Sequence, residues 1–454
     1  MVYATGGTNI WFRRSDDMGN AWGGRISVAG GYVPGGISLG AGQDVYCVYE
    51  TSSDFKVAYS RNDGQTWTVV PTSALNMPKG SPYDFYDQHS QIISDTNGNV
   101  VVAWIQGGTY NGKSVRLLKL GISHDHGTTW TVKNLTSNAD LDVFTAKTFA
   151  TNSFFRQTEP WFAVDPYGQF HLVWYDNREG RSNTSYDWWN CYHVFSTDKG
   201  DTWSPAVRVS KIPGNNNPGF TFSSSRGGNR APQDFIGVDA DKEFVYPCWA
   251  DNQAKGVAAL GDVYAARAPI AKKHDFPVGI SYFSIPVAMT RTDPAQWVGF
   301  NGTQNGLSYF DPVLNGERKY GVDFTDTVQA QGYKVLGTSP TTYFIPGFDT
   351  EAASFEAPIP GAGIHWVGNP YNRKTLLRDI SVRNNDTGEV RSMVQDYQSG
   401  NPWIDWGWRE LTPNPGSTPV VPPTSPDYRY IPCEPWKAYS TKAYLPNLTL
   451  IFPK

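Results

Sequence analysis

Ser123-His-Asp125-His-Gly127-Thr-Thr-Trp130 occurs in four versions along the chain. The others are Ser15-Asp-Asp17-Met-Gly19-Asn-Ala-Trp22, Ser60-Arg-Asn62-Asp-Gly64-Gln-Thr-Trp67 and Ser196-Thr-Asp198-Lys-Gly200-Asp-Thr-Trp203. Each keeps Ser, then Asp or Asn two residues on, Gly four on and Trp seven on. A short polar side chain in a tight loop accepts hydrogen bonds from amides ahead of it, and Gly supplies the positive φ that a bulky residue resists. The phrase therefore predicts a hairpin turn with its own internal fastening. The closing Trp returns a large apolar ring to the sheet it leaves.

A longer repeat encloses these turns. Gln91 to Trp104, Trp161 to Trp174 and Phe235 to Trp249 each read as a short apolar strand, an Asp-started turn (Asp95, Asp165, Asp239) and a second strand ending in Trp; the last carries one extra turn residue. A third strand then feeds the Ser-x-Asp phrase, and a fourth follows it. Such a four-stranded antiparallel meander, recurring about every 45 to 75 residues, has the spacing of propeller blades. The expected fold is all-β: a propeller of five or six four-stranded blades over residues 1–287. Met1 to Thr5 and Asn9 to Ser15 begin in mid-blade, so a segment within Phe276 to Val287 is expected to complete that blade and close the ring.

The pattern S-x-D-x-G-x-T-W resembles the Asp-box, or BNR repeat, of the sialidase-like β-propellers, with Asn62 and Ala21 as the departures. That resemblance implies boxes at the blade periphery, between third and fourth strands and away from the pocket. All sixteen box positions are then structural: Ser15, Asp17, Gly19, Trp22, Ser60, Asn62, Gly64, Trp67, Ser123, Asp125, Gly127, Trp130, Ser196, Asp198, Gly200 and Trp203. Active sialidases of the family also carry an Arg in an F/Y-R-I-P phrase before the first box, two further Arg completing a carboxylate clamp, an Asp acid/base, and a Tyr activated by Glu. Here only 14 residues precede the first box, Phe12-Arg13-Arg14 already belongs to it, and Tyr430-Ile-Pro432 has the wrong order and place. The resemblance thus implies the scaffold without sialidase chemistry.

The bulk numbers agree with short strands and tight turns: of 454 residues, 45 are Gly and 32 Pro, with only 18% charged. A formal net charge of -4 gives no general attraction for nucleic acid or an anionic membrane. Cys47, Cys191, Cys248 and Cys433 are widely spaced without C-x-x-C, and His124 and His126 flank an exposed turn, so no metal or cofactor is expected. Nothing approaches the roughly 18 consecutive apolar residues of a membrane span. The resemblance implies an extracellular place: secreted, on a cell surface or on a virion. Met1-Val-Tyr-Ala-Thr has neither the basic flank nor the hydrophobic stretch of a leader, so the expectation is either a removed leader or release as a virion component.

In a propeller the innermost strands ring a channel, and ligands bind where those strands begin. Six residues before the turn aspartates stand His89, Glu159 and Gln233, with Asp87, Arg156, Arg230 and Asp234 around them. Behind the Trp-ended strands come Glu50, Gln106, Asp176-Asn-Arg178 and Asp251-Asn-Gln253. Arg offers paired planar donors to a carboxylate, and Asp or Glu accepts from sugar hydroxyls, so Arg156, Glu159, Asp176, Arg178, Arg230 and Asp234 form a candidate site for an anionic or polyhydroxylated ligand. The bland alternative pairs these residues with one another at strand ends. Glu159 with Asp234 is the candidate carboxylate pair for glycoside hydrolysis. Trp188, Trp189, Trp403, Trp406 and Trp408 are either stacking platforms or packing.

Residues 288–411 read as a β-rich module of unknown type and 412–426 as a Pro-rich spacer. Residues 427–454 form an aromatic arm too apolar to stay free in water, expected to fasten to another subunit or, alternatively, to its own module. Three functions stay open: a glycan- or surface-recognising extracellular or virion protein, a secreted glycoside hydrolase, and a protein-binding scaffold.

Overall fold

The structure is a computed structural model that describes residues 1–5, 8–81, 90–149, 154–180, 188–210, 220–221, 236–251, 262–300, 305–350, 352–413 and 432–453. Contacts divide the chain into two compact units, Met1–Ala268 and Pro269–Lys454.

The first unit is a succession of five antiparallel sheets. The first holds Val2–Thr5, Asn9–Phe12 and Ile26–Gly30 in chain order. The second follows the full meander, Val33–Leu39, Val45–Glu50, Asp54–Ser60 and Thr68–Val69. Gln91–Ser94, Val100–Tyr110, Lys113–Ser123 and Thr131–Asn134 make the third. The fourth comprises Gln157–Val164, Phe170–Asp176, Trp188–Ser196 and Val207–Arg208, and the fifth is built on Ile236–Ala240, Phe244–Asp251 and Asp262–Ala265. The first strand of each sheet packs beside the first strand of the next. This is the blade succession of a propeller, as the repeat predicts.

The strands read as continuous apolar runs because both faces are covered. In the third sheet Val100, Val102 and Trp104 pack toward Tyr46, Val48 and Phe55 of the second, while Val101, Ala103 and Ile105 pack toward Leu172 and Trp174 of the fourth. The innermost strands approach so closely that a Cβ on Gly36 would lie 2.5 Å from Gln91 Oε1 and 2.9 Å from the Ile92 nitrogen. Only glycine fits there.

All four box turns lie between the last two strands of their sheets and share one hydrogen-bond pattern. The Ser hydroxyl donates to the Asp or Asn Oδ1 (2.7, 2.9, 2.8 and 2.8 Å) and accepts from the Gly amide (2.8, 2.8, 2.9 and 2.8 Å). Oδ1 also accepts from the amide four residues on, at Ala21, Thr66, Thr129 and Thr202. Trp67, Trp130 and Trp203 donate Nε1–H to their own Gly carbonyl. One feature is absent from the sequence expectation: the residue before each Gly (Met18, Asp63, His126, Lys199) also has positive φ, between 55° and 63°. That inverted residue carries its side chain to the preceding sheet, His126 Nδ1 meeting Asp44 Oδ2 at 2.7 Å and Lys199 Nζ meeting Asp95 at 3.1 Å.

In the second unit several strands pair across long sequence gaps. Ala271–Phe276 pairs with Thr341–Asp349, and Gly279–Ser284 with Gly332–Gly337. The expected closure of the first sheet by Phe276 to Val287 is therefore corrected: these strands bond within the second unit, and the division falls at 268 instead of 287. The tail is docked in cis. Ala438–Ala443 lies between Gly363–Gly368 and Arg409–Glu410, and Leu448–Pro453 lies between Ser354–Ile359 and Ser381–Asn384. An arm reaching a neighbouring subunit is thereby corrected, since Tyr439, Leu450 and Phe452 are core residues of their own unit. Most of the Pro-rich spacer lies outside the described residues.

Candidate functional site

The two ends of each sheet differ in chemistry. At one end of the fourth sheet Phe170 pairs with Ser196 and the box follows; at the other, Asp176 pairs with Gln157 and Asn190. The non-box ends of three sheets are knitted together: the Gly107 amide donates to the Lys79 carbonyl at 2.7 Å, and the Arg116 amide to the Phe155 carbonyl at 3.1 Å. Arg116 also bridges Arg156 in parallel.

Polar side chains concentrate there. Lys79 forms a buried ion pair with Glu50 and donates to the Thr51 carbonyl at 2.6 Å. Asp176, fully buried, accepts two bonds from Arg178 Nε (2.9 and 3.0 Å), one from Nη2 (2.5 Å) and one from Trp174 Nε1 (2.9 Å). The guanidinium lies 3.8 Å from the Tyr192 ring centroid. Burial pulls the Arg178 pKa down, but the Asp176 carboxylate outweighs it and holds the group above its ordinary value. Arg178 thus spends Nε and Nη2 on Asp176, the pairing that the bland alternative describes.

Arg156 and Glu159 open the innermost strand of the fourth sheet. Glu159 is buried, sits at φ 55°, and marks the register break between Thr158 and Trp161. The Arg156 guanidinium lies 5.7 Å from the Phe154 ring and 4.9 Å from the Trp189 ring. Arg116, which the sequence reading missed, lies 5.3 Å from Phe154 on its own account. Phe154 lines a recess of about 440 Å³ together with Lys113, Lys147, Phe149 and Phe155. Arg230 and Asp234 lie outside the described residues, as do His89, Asp87 and Gln233. The Glu159 and Asp234 pair therefore has no measured separation. Trp189, Trp403, Trp406 and Trp408 are buried packing residues, not open platforms; the side chain of Trp188 lies outside the described ones. Among the described residues no cluster of three His, Cys, Asp or Glu could hold a metal ion, and no helix is long and apolar enough to cross a membrane.

No protein-family model and no curated protein matches the chain. Among solved structures, the GH93 α-L-arabinofuranosidase of Fusarium graminearum with arabinobiose aligns at 12% identity over 69% of this chain and 93% of its own, with a TM-score of 0.32. The α-L-arabinanase of Penicillium chrysogenum aligns at 12% identity over 68% and 92%, with a TM-score of 0.30. The Hadza microbial sialidase Hz136 aligns at 13% identity over 56% and 52%, also at 0.30. Superpositions this loose carry no inference about chemistry.

Proposed function

We propose that the first unit is a sialidase-like Asp-box propeller that recognises an acidic glycan at its non-box sheet ends, outside the cell or on a virion, without sialidase chemistry. The observation that supports this most is the basic, aromatic recess: Lys113 and Lys147 line it beside Phe154, whose ring is flanked by the Arg116 and Arg156 guanidiniums. Cations on aromatic walls suit a sugar that presents a carboxylate or sulfate on one side and an apolar ring face on the other. A three-arginine clamp finds no support, because Arg178 is held by Asp176 through both Nε and Nη2.

The full chain is tested on an array of sialylated, uronate-bearing and sulfated glycans, with a fluorogenic sialoside assay in parallel. The expected result is binding of at least one acidic class, weakened about tenfold or more by Arg156→Ala and by the Lys113→Ala/Lys147→Ala pair, with unchanged thermal unfolding of the lysine variants and no sialic acid release. Glycoside turnover abolished by Glu159→Gln would favour the hydrolase instead.

A further inference from the structure

A second recess, of about 300 Å³, lies between the third and fourth sheets of the first unit. Three aromatic side chains line it: Phe144 from the helix Asn138–Thr145, Trp174 from the second strand of the fourth sheet, and Trp203 from the fourth box. The charged side chains at its wall are Arg178 and Asp140.

Arg178 is the informative one. Its side chain is only 12% exposed, with Nε and Nη2 fastened to Asp176 and its plane near Tyr192 (3.8 Å), Phe144 (4.7 Å) and Trp174 (5.7 Å). Among the described residues Nη1 has no hydrogen-bond partner. The fork is therefore locked on one side, with donors left over at the wall of an open recess, so a ligand would meet them without ordering a flexible chain. Asp140 supplies the opposite capacity: it is exposed, and Ser137 Oγ holds its Oδ2 at 2.8 Å. An acceptor remains for a hydroxyl.

Charge then selects the ligand class. Asp176 neutralises Arg178, and Asp140 leaves one formal negative charge in excess, so an anion is disfavoured. A neutral molecule with both donors and acceptors and with apolar faces fits the wall, which describes a pyranose ring. The volume lies at the low end of the range for ligand pockets, roughly 300 Å³, and suits one sugar. We propose that this recess binds a single neutral pyranose of a glycan, with Arg178 donating, Asp140 accepting, and the half-buried Phe144 and Trp203 stacking. It is separate from the basic recess and takes a different class of sugar.

The test uses the full chain and the methyl glycosides of galactose, glucose and mannose. Binding is read by tryptophan fluorescence and saturation-transfer NMR. At least one methyl pyranoside should bind in the millimolar range, weakened about tenfold by Phe144→Ala and by Asp140→Asn. Asp140 is exposed, so its variant keeps the test valid should Phe144→Ala unfold. Absence of binding by all three pyranosides, or affinity for them unchanged in Asp140→Asn, overturns the proposal. The acidic glycan at the sheet ends is scored with other probes and side chains, so the two sites fail independently.

Discussion

Asn62 shows what a box needs from its second polar residue. Its Oδ1 takes the Ser60 hydroxyl and the Thr66 amide as an aspartate would, while its Nδ2 donates to Thr66 Oγ1 at 2.9 Å. In the third box the hydroxyl turns round, and Thr129 donates to Asp125 Oδ2 at 2.7 Å. Burial pushes the Asp125 carboxyl up, but bonds from the Thr129 side chain and amide, Ser123 and Thr128 hold it lower, at about 2. A folded pKa below the unfolded one means stabilisation present above about 4 and lost as pH falls toward 2. Asp125→Asn should therefore change stability at pH 7 by less than about 0.5 kcal/mol and remove that acid loss, whereas Asp125→Ala should cost about 1 kcal/mol, as loss of a cap does. Urea denaturation at pH 7 and pH 3 checks both. The boxes were legible because every partner lies within seven residues. The pairing of Arg178 was not legible in the same way: its partner Asp176 is just as local, but sequence spacing does not say whether two opposite charges face each other or a ligand.

Within the fourth sheet, the second and third strands place His171 opposite Phe195 and His193 opposite Val173, and the two imidazoles meet at 3.1 Å. His171 Nε2 continues the chain to Asp165 Oδ2 at 3.2 Å. Burial, with the neighbouring His171 adding to it, lowers the His193 pKa to about 3. An unfolded imidazole takes a proton near pH 6.5 that the folded one refuses until about pH 3. The first unit should therefore lose stability steadily as pH drops through that window. His193→Gln should flatten the slope, and a urea midpoint unchanged between pH 7 and pH 4.5 in the parent protein would overturn this account. The strands themselves were readable from their apolar runs and turns. Arg116 was not, because its importance rests on a bridge to Arg156 forty residues away, and nothing local in Ser114-Val-Arg116 signals it.

At the scale of the whole chain, the first unit is assembled from neighbours in sequence and the second from strands far apart. This explains why the repeat predicted one and the other went unread. A meander announces its partners by order, but a tail strand inserted between Ser354–Ile359 and Ser381–Asn384 leaves no periodic mark. The tail's aromatic content required burial and did not say where. Its position now does: Tyr439, Leu448, Leu450 and Phe452 are each at most 3% exposed, and burial of such side chains contributes roughly 2 kcal/mol apiece. Removing them also leaves Gly363–Gly368 and Ser354–Ile359 without the strands they pair with. Truncation after Thr412 should therefore unfold the second unit. Calorimetry is expected to lose one transition, and limited proteolysis to leave a resistant fragment close to residues 1–268. A truncated protein that keeps a protected second unit, and changes only its oligomeric state, would show that these strands serve assembly instead of the fold of their own unit.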